Sequence, residues 1–202
     1  MMKQVFNDLI KQDVKPLLKE HGYAKKGLHF SKASDAMTYI ISFQKSAGNS
    51  ADQLMFYVNC GIYSTELAEV QGKAIKDAPA EVECHFRERI ENIAHGVPAR
   101  YELTEATDID TVRQSLRSGL EQVLDFYAQM PDARSIVDYY RSVPALHLCE
   151  EGLRLLIRSG DPDAARAYVA ALRDKHGEEN RWSIFEGKYQ AIFDAYGEDM
   201  GA

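Results

Sequence analysis

The spacing of the apolar residues changes once along this 202-residue chain, and that change most limits what it can fold into. Residues 28–31, 37–44 and 54–63 are rich in β-branched and aromatic residues, which predicts strands, and their short connections favour antiparallel neighbours. From Asp108 onward apolar residues recur every three or four positions, the period of amphipathic helices. The sequence therefore predicts an α+β fold: an N-terminal helix, an antiparallel sheet of four or five strands, then a helical C-terminal half.

Several boundaries of these elements are also predicted. Pro16 is expected to kink or divide the first helix, because proline lacks the N–H that the helix needs there. Alternating apolar and polar residues over 82–87 predict a fourth strand, and residues 100–103 are a candidate fifth. Asp108 and Asp161 each precede a helical pattern and are expected to cap those helices.

Charge divides the chain at the same place as periodicity. The expected organisation is a sheet domain over residues 1–104 and a helical segment over 105–202 that packs on the sheet as one compact unit. The formal net charge of −7 belongs to the second segment, since basic and acidic residues balance in the first. Such acidity disfavours a nucleic-acid binder but suits docking to a basic protein partner.

The sequence also predicts where the protein resides. The N-terminus has no apolar core of a signal peptide, and no stretch approaches the roughly 18 apolar residues of a membrane span. Cys60, Cys84 and Cys149 are odd in number and lie among apolar neighbours, which indicates buried free thiols in a reducing compartment. We therefore expect a cytoplasmic protein with no membrane partner.

Familiar catalytic and cofactor motifs are absent from the sequence. It contains no glycine-rich phosphate loop, metalloprotease helix or nucleophile elbow, and its histidines lack metal-ligand spacing. Cys84 and His85 are adjacent in the predicted fourth strand, so their side chains should point to opposite faces and cannot pair as nucleophile and base. We expect a core cysteine beside an exposed histidine. We therefore assign no catalytic residue, metal or cofactor.

A polar set on the predicted sheet is the candidate ligand-binding site. Gln44 and Asn59 interrupt apolar strands, so the two amides either pair with each other or present a polar patch. The neighbouring basic residues are of the kind that binds carboxylates or phosphates. The ordinary alternative is a polar sheet face with cross-strand Glu–Arg pairs. The full set is Gln44, Lys45, Asn59, His85, Arg87 and Arg89.

Two further surfaces are considered. The acidic residues Glu150, Glu151, Asp161 and Asp163 are the candidate partner-binding set; otherwise they are helix caps and solvated faces. Basic and aromatic residues alternate around Lys25, Lys26 and Lys32, as in single-strand nucleic-acid grooves. The alternative for those lysines is a solvated connection between the first helix and the sheet.

Four runs of sequence resemble a known family. They are residues 17–27, 41–46 (Ile-Ser-Phe-Gln-Lys-Ser), 57–62 (Tyr-Val-Asn-Cys-Gly-Ile) and 84–90 (Cys-His-Phe-Arg-Glu-Arg-Ile). In this order they resemble the bacterial family numbered 4304 among domains of unknown function, over about residues 4–104. The resemblance implies a small α+β domain without an established activity, and favours the polar sheet set over the lysines.

Two hypotheses of function follow. In the first, the chain is a non-catalytic cytoplasmic binding protein, for example an immunity-type inhibitor of a basic toxin. In the second, it is an enzyme or small-ligand protein with an anion site on the sheet, where His85 carries a proton and the arginines hold negative charge. The sequence leaves the oligomeric state open.

Overall fold

A computed structural model describes residues 1–201 and confirms the α+β fold. The chain groups into two compact units. The sheet unit comprises Met1–Ser64 and Asp77–Pro131; the helical unit comprises Thr65–Lys76 and the chain from Asp132 onward. The division at residue 104 stays a prediction. Within the described residues, no helix combines the length and apolar character needed to cross a membrane.

The N-terminal helix is interrupted near Pro16, as predicted. Helix α1 (Met2–Leu9) continues into a π-helical segment (Ile10–Val14) and then α2 (Lys15–Glu20). Proline at position 16 has no N–H to donate to the carbonyl four residues earlier, so a regular α-helix loses a bond there, and a π-helical segment absorbs the irregularity.

Six strands form one antiparallel sheet in the sheet unit. They are β1 (Ala24–Lys26), β2 (His29–Ser34), β3 (Met37–Lys45), β4 (Leu54–Ser64), β5 (Phe86–Arg89) and β6 (Tyr101–Leu103). The order is β1-β2-β3-β4-β5, and β6 also pairs with β4. The sequence patterns did not predict β1. Its hairpin with β2 turns through Gly27, whose φ of +64° suits glycine at the first position of a two-residue turn.

One face of the sheet is covered by helices and forms the core. Phe6 of α1 meets Phe56 of β4 edge-to-face, with ring centroids 5.0 Å apart. Helix α4 (Ile109–Ala128) begins at Asp108, whose side chain accepts the Asp110 N–H as predicted. From this helix the buried Tyr127 hydroxyl donates to the Ile40 carbonyl over 2.7 Å. Full burial of such side chains contributes roughly 1.5–3 kcal/mol each.

The fourth predicted strand begins later than expected, and this overturns the interpretation of His85. Residues 81–83 form a 3₁₀ turn with Val82 67% exposed, and β5 starts only at Phe86. Since the chain is not extended through this turn, side chains do not alternate between two faces. Cys84 and His85 are both buried, and the Ser64 N–H donates to His85 Nδ1 over 3.0 Å. The prediction of an exposed His85 is wrong.

The helical unit contains five helices among the described residues. They are α3 (Thr65–Val70), α5 (Ala133–Ser142), α6 (Cys149–Arg158), α7 (Pro162–His176) and α8 (Trp182–Ala195). All but α3 were predicted. Asp161 caps α7 by accepting the Ala164 N–H over 3.1 Å, as expected for aspartate before an N-terminal proline.

Candidate functional site

One face of the sheet carries a row of polar side chains, one from each of five neighbouring strands. The register aligns, in order from β1 to β5, Lys26, His29, Ser42, Asn59 and Arg89. Directly paired residues of neighbouring strands lie on the same face, so these five residues form one line, which we call the polar row. Strands are about 4.8 Å apart, so the row spans roughly 19 Å with a basic residue at each end.

Hydrogen-bonding amides occupy the middle of this face. Asn59 Nδ2 donates to Gln44 Oε1 over 3.0 Å, so of the two arrangements that the sequence left open, the structure has the pairing. Gln44 is exposed and Asn59 is partly exposed. Their remaining donors and acceptors can therefore reach a ligand that lies along the row.

Arg89 is a cation without an acidic partner. Among residues 1–201, no carboxylate lies within ion-pair distance of its guanidinium, which instead lies over the Tyr57 ring at 4.0 Å from the centroid. Its Nη1 is buried and has no hydrogen-bond acceptor in the described chain. Arg89 as a whole is only partly buried and its guanidinium has further N–H donors, so its uncompensated charge suits an anionic group brought by a ligand.

Arg87 lies on the same face as Arg89, but its charge is already compensated. It pairs with Gly61 in the sheet register, two residues along β5 from Arg89. Its Nε donates to Glu81 Oε1 over 2.9 Å; Glu81 lies in the 3₁₀ turn before β5, so this is an ion pair between turn and strand and not a cross-strand pair. Arg87 therefore offers less to an anion than Arg89 does.

Two residues of the predicted ligand set lie elsewhere. Lys45 is paired with Phe56 and belongs to the helix-covered face, where its Nζ lies 4.6 Å from the Phe6 ring centroid. His85 is buried and bonded to the Ser64 backbone. The structure thus brings Gln44, Asn59, Arg87 and Arg89 to one face, without Lys45 or His85.

A cavity of about 400 Å³ adjoins the β1–β2 end of the polar row. Its lining comprises Lys26, His29, Ser31, Ala33, Thr38 and the segment 77–80. Burial lowers the pKa of the His29 imidazole, while the Glu81 carboxylate and a hydrogen bond to the Pro79 backbone act in the opposite direction. His29 is therefore mainly neutral at pH 7.

A second cavity, of about 450 Å³, lies between the π-helical segment and α4. Its floor includes Val14 and Leu120, and charged residues line its mouth. Arg113 bonds both Asp13 (3.2 Å) and Asp110 (2.9 Å), so these charges satisfy one another. This cavity offers apolar surface without the uncompensated charge found at Arg89.

Each residue of the predicted partner-binding set is engaged within the helical unit. Four bonds are involved: Glu150 with Lys188 (3.0 Å), Glu151 with Gln71 (3.1 Å), Asp161 with Arg134 (2.8 Å) and Asp163 with Arg166 (2.6 Å). The hydrogen bond from Arg134 is the main cause that lowers the pKa of Asp161. Glu150, Asp161 and Asp163 are thus in ion pairs, Glu151 accepts from a neutral amide, and Asp161 also caps α7.

The three lysines considered for nucleic-acid binding lie on two faces. Lys25 is paired with Phe30 and Lys32 with Tyr39, both on the helix-covered side of the sheet, whereas Lys26 belongs to the polar row. They do not form one basic groove.

The cysteines are packing residues in this structure. All three are unpaired and buried, as predicted. Burial is the main cause that raises the pKa of Cys60, Cys84 and Cys149, which keeps them as unreactive thiols at neutral pH. Across residues 1–201, no group of three or more histidine, cysteine, aspartate or glutamate side chains is arranged to hold a metal ion.

A family model described as a domain of unknown function (DUF4304) matches residues 14–137. This is more than half of the chain, so the protein belongs to that family, as the sequence resemblance indicated. The match begins and ends later than residues 4–104, and it includes all of α4 and the first part of α5. No curated protein and no solved structure matches the chain.

Proposed function

We propose that this protein is a non-catalytic binding protein whose ligand is elongated and anionic and lies along the polar row. The observation that carries the proposal is Arg89, a partly buried arginine at the end of the row with no acidic partner in the described chain. Positive charge at both ends and amide or hydroxyl groups between them suit a ligand with separated anionic groups and a hydrogen-bonding middle.

This proposal combines the two hypotheses from the sequence. It keeps the binding protein of the first and the anion site on the sheet of the second, without a catalytic role for His85. Docking of a basic protein through Glu150, Glu151, Asp161 and Asp163 receives less support, because each carboxylate already has a partner within its own unit. An immunity-type role would then use the sheet face and an acidic patch of the toxin.

The test is a ligand panel with matched arginine variants. Nucleotides, sugar phosphates, polycarboxylates and acidic peptides are screened for an increase in the melting temperature of the full chain, and each hit is measured by calorimetry. For a true ligand, we expect Arg89→Gln to weaken binding at least about tenfold, since a charge-assisted hydrogen bond contributes about 1.5–3 kcal/mol.

The matched control is Arg117→Gln. Arg117 is exposed on α4, pairs with Glu121 over 2.9 Å and lines the second cavity. We expect this variant to bind like the parent. A hit that is lost in Arg117→Gln and retained in Arg89→Gln places the ligand in the second cavity and overturns the proposal. So does a broad panel without any Arg89-dependent hit.

A further inference from the structure

We propose that the cavity beside His29 holds a phosphate monoester group of the ligand, and that His29 takes up a proton from solvent as this group binds. This inference rests on the proposed function and deepens it, because it assigns the chemistry of the anionic group at one end of the polar row. The other end of the ligand would reach toward Arg89, three strands away.

The donors around the cavity suit a tetrahedral dianion. Lys26 is directly opposite His29 in the register, and Ser31 is the next residue of β2 on the same face. The Lys26 ammonium, the Ser31 hydroxyl and the His29 imidazole once it is protonated are hydrogen-bond donors among the residues that line this cavity of about 400 Å³. Because these donors are side chains, the cavity can bind a phosphate group without a glycine-rich loop.

The far end of the same cavity suits hydroxyl groups. Thr38 of β3 is paired with Ala33, which lies four residues along β2 from His29, and Asp77 also lines the cavity. A threonine hydroxyl and a carboxylate together donate to and accept from the hydroxyls of a sugar or polyol. The ligand class is therefore a phosphate monoester of a hydroxylated molecule, with nucleotides and sugar phosphates as the two sources.

The proton uptake follows from the surroundings of His29. In the free protein burial favours the neutral imidazole, even though Glu81 and the Pro79 backbone favour the cation. The charged groups near it are Lys26 on β1, Asp77 on the cavity wall, and Glu81, whose carboxylate is shared with Arg87. A bound dianion outweighs this burial effect, because an adjacent opposite charge stabilises the imidazolium.

The sharpest probe is sulfate, whose double negative charge stays fixed between about pH 5 and pH 8. A phosphate monoester itself titrates near pH 6, which would obscure the histidine. The pKa of His29 is measured by NMR on the histidine-labelled full chain, with His29→Gln to assign the signal. We expect saturating sulfate to raise that pKa by about one pH unit, which corresponds to tenfold tighter binding to the protonated form.

Two neighbouring lysines provide matched variants. Lys26→Gln should remove most of the sulfate effect, whereas Lys25→Gln should leave it intact, because Lys25 is on the opposite face of β1 beside Phe30. Sodium chloride at equal ionic strength should leave the pKa of His29 unchanged. Equal effects of sulfate and chloride, or equal effects of the two lysine variants, would overturn the inference.

Methyl phosphate is then compared by calorimetry with a nucleoside 3′,5′-bisphosphate and a hexose bisphosphate, which carry the second anionic group that Arg89 would bind, in buffers of different ionisation enthalpy. Proton uptake that disappears in His29→Gln supports the inference, and the tighter of the two larger ligands identifies the source. Binding that depends on Arg89 with no response at His29 overturns the inference and leaves the proposed function standing. A response at His29 without any Arg89-dependent ligand supports the phosphate site at His29 and overturns the proposed function.

Discussion

The sheet unit, which carries the polar row, and the helical unit, which carries the four acidic residues, have similar net charges but differ in how their charged residues are paired. The sheet unit has 13 basic and 16 acidic residues, and the helical unit has 11 and 15, so their net charges are −3 and −4. Nevertheless, Arg89 lacks an acidic partner in the described chain, whereas the four acidic residues are each bonded within the helical unit. A charge count therefore says little about which charges a ligand can reach.

The two units also divide the charge of the chain differently from the two sequence segments. Residues 105–202 carry the whole net charge of −7, which suggested one acidic helical surface. However, α4 belongs to the sheet unit, so part of that acidity lies with the sheet. Substitutions at His85, Gly61 and Asp161 test which residues bind a ligand and which stabilise the fold.

The largest expected effect is on stability, at His85. Replacing His85 with alanine removes the acceptor of the Ser64 N–H, the contact with the Tyr63 ring at 5.1 Å, and buried volume. We expect a loss of about 2–4 kcal/mol in the free energy of unfolding, measured by urea denaturation. Ligand binding below the melting temperature should be unchanged, because His85 is buried away from the polar row.

The control for this prediction is His85→Asn. The Asn side-chain oxygen lies near the position of His Nδ1 and can accept the same N–H, so this variant should retain part of the lost stability. A folded His85→Ala protein that no longer binds an Arg89-dependent ligand would show that His85 belongs to the site after all, as the sequence first suggested.

The next effect concerns the close approach of Gly61 on β4 to Cys84. A Cβ at position 61 would lie 2.7 Å from the Cys84 Sγ and 3.1 Å from its Cβ. Gly61→Ala should therefore cost about 1–3 kcal/mol of stability, the range for overpacking a core. Both residues lie in runs that carry the family resemblance, and this close approach adds to the β4–β5 pairing that joins those runs.

A double variant separates overpacking from other effects at this site. Cys84→Ala removes the sulfur, so Gly61→Ala combined with Cys84→Ala should be destabilised by less than the two single variants together predict. Strict additivity of the denaturation midpoints would contradict the contact. The decrease in stability of Gly61→Ala would then come from the strand backbone alone.

Local patterns predicted most of the fold. Strands β3 and β4 are rich in β-branched and aromatic residues, and Asp108 and Asp161 cap helices for reasons contained within four residues of sequence. The 3₁₀ turn at residues 81–83 was missed because its apolar and polar residues alternate as those of a strand would.

The candidate site was less predictable, because register decides its membership. Arg89 and Asn59 were identified from their own runs, but their alignment with His29 and Lys26 depends on pairing between strands far apart in sequence. The pairing of Lys26 with His29 was predictable from a two-residue hairpin turn that starts at Gly27. Lys45 was misplaced for a simpler reason: adjacent strand residues point to opposite faces, and Gln44 takes the polar one.

The smallest expected effect is at Asp161, which tests whether the acidic residues serve the fold. Asparagine caps helices as well as aspartate, so Asp161→Asn keeps the bond to the Ala164 N–H and removes only the charge that Arg134 binds. Because Arg134 lowers the pKa of Asp161 in the folded state, the carboxylate stabilises the fold above its unfolded value of about 3.9. That stabilisation is lost as pH falls through the lowered folded value.

The parent should therefore be more stable than Asp161→Asn near pH 7, and the difference in urea midpoint should vanish toward pH 2. Asp163→Asn is the matched control: its side chain is 92% exposed, and we expect a midpoint close to that of the parent throughout. A difference for Asp161→Asn that is independent of pH would mean that the Arg134 pair contributes nothing to the fold. Asp161 would then be available to a basic partner, and the acidic residues would differ less from Arg89 in how far their charges are compensated.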